Sequence, residues 1–333
     1  VKGDFFMEIV TLGELILDMF ASESGKDFFS VTAFLPVAGG APANVAVAAA
    51  RLGVKSAFIG KVGEDQFGHR LERVLKEYGV DTTGMRYDAR YRTTLNFMTV
   101  PDPHRTEMLF YRNPGADMLL EPGELDEALI ERAAVYHFGS VSLAVEPCRS
   151  AAIEGAVRAR KAGALVSFDV NYRPGLWDSE ARAMSEIAAA IPLADIVKVN
   201  ETELRFITGT DDARNGCREI VDRGPALCVA TLGPDGSAWS TAAGAGSAAG
   251  FKVRAVDATG CGDAFMAALL VQVLAALGGR HADRRARVEG LGEEILSRAL
   301  RFANAAGALT ARKRGVMNAL PNAREVQKLL DRK

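Results

Sequence analysis

The feature that most constrains the fold is a regular alternation in the middle of the chain. Four short apolar runs, Val135–Phe138, Leu165–Asp169, Ile196–Val199 and Leu227–Leu232, follow one another at similar intervals. Stretches with helical spacing stand between and before them: Leu125–Arg132, Cys148–Ala162, Ser179–Ile191 and Ala213–Arg223. Runs of four to six apolar residues are too short for helices and suit strands buried on both faces. Parallel neighbours need a crossover of a dozen or more residues, which the helical stretches supply. The chain is therefore predicted to be α/β, a doubly wound, mostly parallel sheet with helices on both faces.

Upstream, the same reading gives a first strand over Glu8–Asp18 and an alanine-rich helix entered at Pro42 and stopped by Gly53. A strand at Ser56–Val62 and a helix at Asp65–Tyr78, ended by Gly79, come next. Arg92–Arg112 breaks the pattern. Thr94–Val100 and Glu107–Arg112 read as two strands joined by a turn over Pro101–Arg105, a hairpin suited to a small separate sheet. Ser237–Phe251 reads as a meander of weak strands, and Gly278–Gly292 as an exposed loop between two helices. Neither an internal repeat nor a dividing linker is found, so residues 7–333 are expected to form one domain.

Composition excludes several classes. A formal net charge of −2 argues against a general nucleic-acid or anionic-membrane binder. None of Cys148, Cys217, Cys228 and Cys261 forms a C-x-x-C pair or takes metal-ligand spacing with histidine, so free thiols in a cytoplasmic protein are expected. No apolar run approaches the roughly 20 residues of a membrane helix. Val1–Phe6 lacks the pattern of a secretory signal, and Met7 reads as the native start, with residues 1–6 an addition.

The strongest chemical signal is Asp257-Ala-Thr-Gly-Cys-Gly-Asp263, running straight into the apolar helix that begins Ala264-Phe-Met-Ala. A helix start offers unpaired N–H groups and the positive end of a dipole, which suits an anion. Gly260 and Gly262 let a phosphate approach the backbone closely. An acid at Asp263 could simply cap the helix, but the flanking glycines and the second acid, Asp257, favour a chemical role. Cys261 reads as a small buried residue, with a reactive thiol the lesser alternative. Two weaker signals are Gly39-Gly40-Ala-Pro-Ala-Asn44, a glycine turn entering a helix, and Asn200-Glu-Thr-Glu203, by itself a capped helix start after a strand. No G-x-x-x-x-G-K-[ST] is present, which excludes a P-loop. No G-x-G-x-x-G follows the first strand, which argues against a nicotinamide dehydrogenase.

The Asp257–Asp263 segment resembles the D-T-x-G-A-G-D signature of the ribokinase-like (pfkB) carbohydrate kinases, with Ala258 and Cys261 as departures. The resemblance runs from Glu8 to Leu320 and implies a ribokinase-like fold with a small β-sheet lid from segments near 12–37 and 92–112. It implies an ATP-dependent sugar kinase in which Asp263 takes the proton of a sugar hydroxyl and Gly260, Cys261 and Gly262 form a backbone anion hole. By the same resemblance Gly39, Gly40, Asn44 and Asp18 contact the sugar. Asn200, Thr231, Gly233, Gly236 and Asn304 lie by the nucleotide, and Glu203 meets Mg2+ through water. Asp257, Thr259 and Gly315 match positions around a monovalent cation, commonly K+. Phe110-Tyr-Arg-Asn-Pro-Gly-Ala-Asp-Met and Phe168-Asp-Val-Asn-Tyr-Arg-Pro-Gly-Leu-Trp resemble fructokinase stretches, which makes Arg112 and Arg173 substrate or phosphate contacts and fructose the expected sugar. A kinase for 2-keto-3-deoxygluconate or another sugar acid is the alternative, because arginines suit carboxylates too; a non-catalytic binding scaffold ranks below it. The family also implies a homodimer.

Overall fold

The computed structural model describes residues 7–331 apart from 24, 103–104 and 279–282. The strands are β1 (Met7–Leu12), β2 (Ile16–Ala21), β3 (Phe34–Gly39), β4 (Ser56–Gly63), β5 (Met85–Asp88), β6 (Leu95–Asp102) and β7 (Arg105–Tyr111). They continue as β8 (Ala133–Gly139), β9 (Leu165–Asp169), β10 (Ile196–Asn200), β11 (Leu227–Thr231), β12 (Gly236–Thr241) and β13 (Gly244–Ala249). The helices are α1 (Ala41–Arg51), α2 (Gln66–Glu77), α3 (Glu127–Glu131), α4 (Cys148–Lys161), α5 (Glu180–Ala190) and α6 (Glu201–Thr208). After them come α7 (Ala213–Val221), α8 (Cys261–Leu277), α9 (Arg284–Glu289), α10 (Glu293–Thr310) and α11 (Ala323–Leu330).

The large sheet has the order β13-β12-β11-β10-β9-β8-β1-β4-β5. From β11 to β5 every pairing is parallel; β12 and β13 close one edge as an antiparallel hairpin. Alternate residues of each strand point to opposite faces. Ile9, Val135, Leu165 and Ile196 enter the core under α1, α2, α8, α10 and α11, while Val10, Tyr136, Val166 and Val197 enter the core under α3–α7. The sheet is thus covered on both faces, as continuous apolar strands require. Helix α8 is apolar nearly all round because it lies between α1 and α10.

The small sheet has the order β3-β2-β6-β7. Its register places Asp18 beside Asn96, and Asn96 beside Phe110, on one face; Met19, Phe97 and Leu109 share the other. Asp65 ties this sheet to the body. It caps α2 through Phe67 and Gly68, and its carboxylate also accepts from the N–H and hydroxyl of Thr93 at 2.9 and 2.8 Å, just before β6.

Three expectations need correction. Glu8–Asp18 is not one strand: the chain leaves the large sheet after Leu12 and enters the small one at Ile16. The break falls at Gly13, whose φ of 154° and lack of a Cβ, which would stand 2.5 Å from Pro42 Cγ, let the backbone pass under α1. Gly278–Gly292 is not simply an exposed loop, since α9 forms within it and buries Val288 completely. The helix expected over Leu125–Arg132 is shorter, α3 at Glu127–Glu131, because Asp126 caps it by accepting from the N–H of Leu129; a separate 3-10 turn at Pro122–Glu124 precedes it. Part of the Pro101–Arg105 turn and all of residues 1–6 lie outside the described residues.

Candidate active site

The functional residues gather at the carboxyl ends of the parallel strands, where open α/β sheets place ligands. Two cavities of about 420 Å3 each open there. Both are lined by Thr231, Ala258 and Gly262, so they meet at the glycine-rich loop and the start of α8.

The first cavity is roofed by the inner face of the small sheet. Ile16, Asp18, Asn96, Met98, Phe110 and Arg112 line it, each two residues from the next along its strand. Its floor holds Asp263, whose Oδ2 accepts from Asn44 Nδ2 at 2.7 Å. Burial and the Asp169 carboxylate push Asp263 up to about 6, against the pull of Asn44, Lys198 and Arg173. Asp18 accepts from Asn96 Nδ2 at 2.8 Å, and burial, with Asp263 nearby, pushes it up to about 7. Glu14 follows the break after β1; its Oε1 accepts from the N–H of Ala41 at 2.9 Å, and burial pushes it to about 7. Three buried oxygens here, Glu14 Oε2, Asn44 Oδ1 and Asn96 Oδ1, have no hydrogen-bond partner. Orphaned acceptors around a concave wall suit the hydroxyls of a polyol.

The glycines of the Gly39-Gly40 pair act through space. A Cβ on Gly39 would stand 2.0 Å from Asp18 Oδ2, so glycine leaves the carboxylate its place; Gly39 itself is not a lining residue. Gly40 sits before α1 with φ of 106°, where a Cβ would meet the Glu14 carbonyl at 2.3 Å. Arg112 lines the cavity, yet its guanidinium is committed to Asp117, with contacts of 2.8 and 2.7 Å. Arg173 is exposed at the mouth on a loop that includes Asn171, which has a positive φ of 38°.

The second cavity is largely apolar. Gly233, Gly236, Phe251, Cys261, Phe265 and Asn304 contribute to it. Asn304 Nδ2 donates to the carbonyls of Ala248 and Ala249, fixing β13 against α10. Burial, with Asp263 and Asp257 nearby, pushes the Cys261 thiol up to about 12, so it stays protonated at neutral pH. A flat heteroaromatic base fits such walls, and an anionic group joined to it would reach the N–H groups at the start of α8.

Glu203 lines neither cavity. Its Oε2 accepts from the N–H of Asn200 at 2.8 Å, the reciprocal half of a capping box, and its Oε1 accepts from the N–H of Tyr172 at 2.9 Å. It thereby joins α6 to the loop that carries Arg173. Asn200 lines the first cavity from the end of β10. Asp257 Oδ1 accepts from the N–H of Thr259 and Oδ2 from that of Gly315, at 2.9 and 3.1 Å, so the three residues matched to a cation site stand together. Among the described residues no group of three or more His, Cys, Asp or Glu could hold a metal ion.

Sequence reasoning missed Lys198 and Asp169, besides Glu14, Asn96 and Asp117. Lys198 lies directly opposite Asp169 in the β9–β10 register, and its Nζ is 3.0 Å from both Asp169 oxygens. The available signal was a lysine inside a fully apolar central strand, where an ammonium is almost never left unpaired.

A carboxylate of raised pKa at a helix start, placed where a polyol-sized cavity meets a base-sized one, is the arrangement of a small-molecule phosphotransferase. Residues 7–323 match the pfkB family carbohydrate kinases, and the chain belongs to that family. It is 43% identical to a probable fructokinase-4 of Arabidopsis thaliana over 97% of this chain and 96% of that one. Its fold is similar to that of Xylella fastidiosa fructokinase with bound ATP, with TM-score 0.87, 34% identity and coverage of 97% and 98%. Fructokinase from Vibrio cholerae O395, in fructose-, ADP- and calcium-bound form, superposes with TM-score 0.82 at 31% identity, covering 98% of this chain and 99% of that one.

Proposed function

We propose that this chain is a fructokinase, transferring the terminal phosphoryl group of Mg-ATP to a hydroxyl of fructose. The observation that carries the reading is Asp263, a buried carboxylate in the first cavity, next in sequence to Gly262, which lines both cavities. Fructose occupies the first cavity, its hydroxyls answering Asp18, Asn44 and Asn96. Asp263 takes the proton of the attacking hydroxyl as its oxygen bonds to phosphorus; the bond to the bridging oxygen breaks and ADP leaves. The N–H groups of Gly260 and Gly262 receive the charge on the phosphoryl oxygens, whereas that of Cys261, expected to join them, donates to the Ala258 carbonyl at 3.3 Å. The small sheet acts as a lid that keeps water from the reaction. The relatives named above support fructose over a sugar acid, and the pairing of Arg112 with Asp117 leaves Arg173 as the lining arginine without a carboxylate clamped to it.

An ADP-release assay with Mg-ATP against fructose, ribose, tagatose and 2-keto-3-deoxygluconate tests this reading. Fructose is expected to give the highest kcat/KM, and turnover confined to the sugar acid would overturn the assignment. The Asp257, Thr259 and Gly315 cluster is proposed to take K+ through backbone carbonyls, so activity in the same assay is expected to rise with KCl relative to a tetramethylammonium salt.

The pH profile follows from Asp263 and from Asp18 nearby, both raised by burial. The base must be ionised, so kcat/KM is expected to fall as pH drops through about 7 to 6, approaching tenfold per unit below that range. Stability runs the other way. Carboxyls raised in the folded state bind protons more tightly than in the unfolded chain, so these groups add stability as pH falls over the same window. Acid loss of activity without loss of melting temperature is the expected signature; parallel loss of both would show unfolding instead.

The outer face of the lid is proposed to pair with a second copy of the chain. Leu109 and Tyr111 are 47% and 64% exposed there, and Tyr111 lies edge-on to Phe97 at 5.4 Å. A contiguous apolar face of this kind marks an interaction surface. Light scattering is expected to give a dimer mass for the wild type and a monomer mass for Leu109→Glu; unchanged mass would remove this face from consideration.

A further inference from the structure

We propose that Lys198 is a catalytic residue whose ammonium binds the terminal phosphoryl group of ATP and stays with it during transfer to the sugar. The inference rests on the kinase reading above. Three observations carry it. Lys198 lines the first cavity although it is only 5% exposed, so its ammonium is withdrawn from solvent within the cavity wall. It lies against the anion hole itself: a Cβ on Gly262 would stand 2.9 Å from Lys198 Nζ. Asp169, directly across the strand pair, holds Nζ with both oxygens at 3.0 Å. An ammonium has three donors, and one bond to each Asp169 oxygen leaves one N–H for a ligand.

The surroundings explain why a fixed charge is placed here. The start of α8 supplies only partial charges, whereas the migrating group spreads its negative charge over three oxygens. Asp263 and Glu203 add further negative charge around Lys198, and together with Asp169 they outweigh the effect of burial and keep it protonated. Asp169 is thus a positioning residue that fixes the ammonium without occupying its remaining donor.

A buried ion pair can also serve stability alone, and the double variant separates the two roles. Lys198→Met leaves Asp169 buried without its partner, so its melting temperature is expected to fall; Asp169→Asn combined with Lys198→Met removes both charges and is expected to recover it. If Lys198 binds the phosphoryl group, kcat falls by about 10²–10³-fold in both variants, with the KM for sugar little changed. Recovery of kcat together with melting temperature in the double variant would overturn the proposal. Calorimetry without sugar gives a second readout. Lys198→Met is expected to weaken ATP and leave AMP unaffected, and equal ATP affinity in wild type and variant would also overturn it. Failure of the wild type to phosphorylate any sugar would sink the kinase reading instead, while the comparison of ATP with AMP would still report on Lys198.

Discussion

Asp263→Asn is expected to lower kcat by about 10²–10⁴-fold, the range that a positioned general base contributes. The substitution is close to isosteric, and its carbonyl can still accept the 2.7 Å hydrogen bond from Asn44. Folding should therefore be preserved, and removal of a buried carboxylate that Asp18 and Asp169 both oppose should raise stability, if it changes it at all. The measurement is single-turnover transfer from Mg-ATP to fructose, alongside thermal melting. Sugar affinity is expected to hold because Asp18, Asn96 and Glu14 remain. Wild-type turnover from a well-folded variant would show that the proton leaves by another route.

Arg112→Met is expected to cost about 3–5 kcal/mol of folding stability, because it strands a buried carboxylate. Asp117 is only 3% exposed, and once its two contacts from Arg112 are lost, Thr94 is its remaining hydrogen-bond partner. Urea unfolding measures the loss, and Arg112→Met with Asp117→Asn should recover most of it. A variant with wild-type stability and a raised sugar KM would mean that Arg112 is first a ligand contact.

The layered body was legible because its signals are local and repeated. Strands buried on both faces read as apolar runs, crossover helices read by their periodicity, and the glycine loop before α8 has no other common use at that place. The broken first strand was hidden for the opposite reason. Glu8 to Asp18 is apolar enough throughout to pass as one strand, and the close approach of Gly13 to Pro42, where the chain changes sheet, is a contact distant in sequence. Helix α9 was hidden by charged residues, since one of its two buried anchors, beside Val288, is itself an arginine, Arg284. In the site, motif positions such as Asp263, Asn44 and Asp18 were found, and the structure brings them to one cavity. The paired ions were not found, because Lys198 and Asp169 meet only through strand register, and Arg112 and Asp117 only through the fold of the loop between them.

The path of the chain between its two sheets has one further consequence. The backbone passes between body and small sheet at four places: after β1, before α1, before β6 and after β7. Glu14, Gly40, Thr94 and Arg112 stand at these crossings, and all four line the first cavity. The crossings between body and small sheet and the wall of the cavity are therefore built from the same residues. Any tilt of the small sheet would move all four together, so the angle between the sheets and the shape of the cavity are set by the same short stretches of backbone.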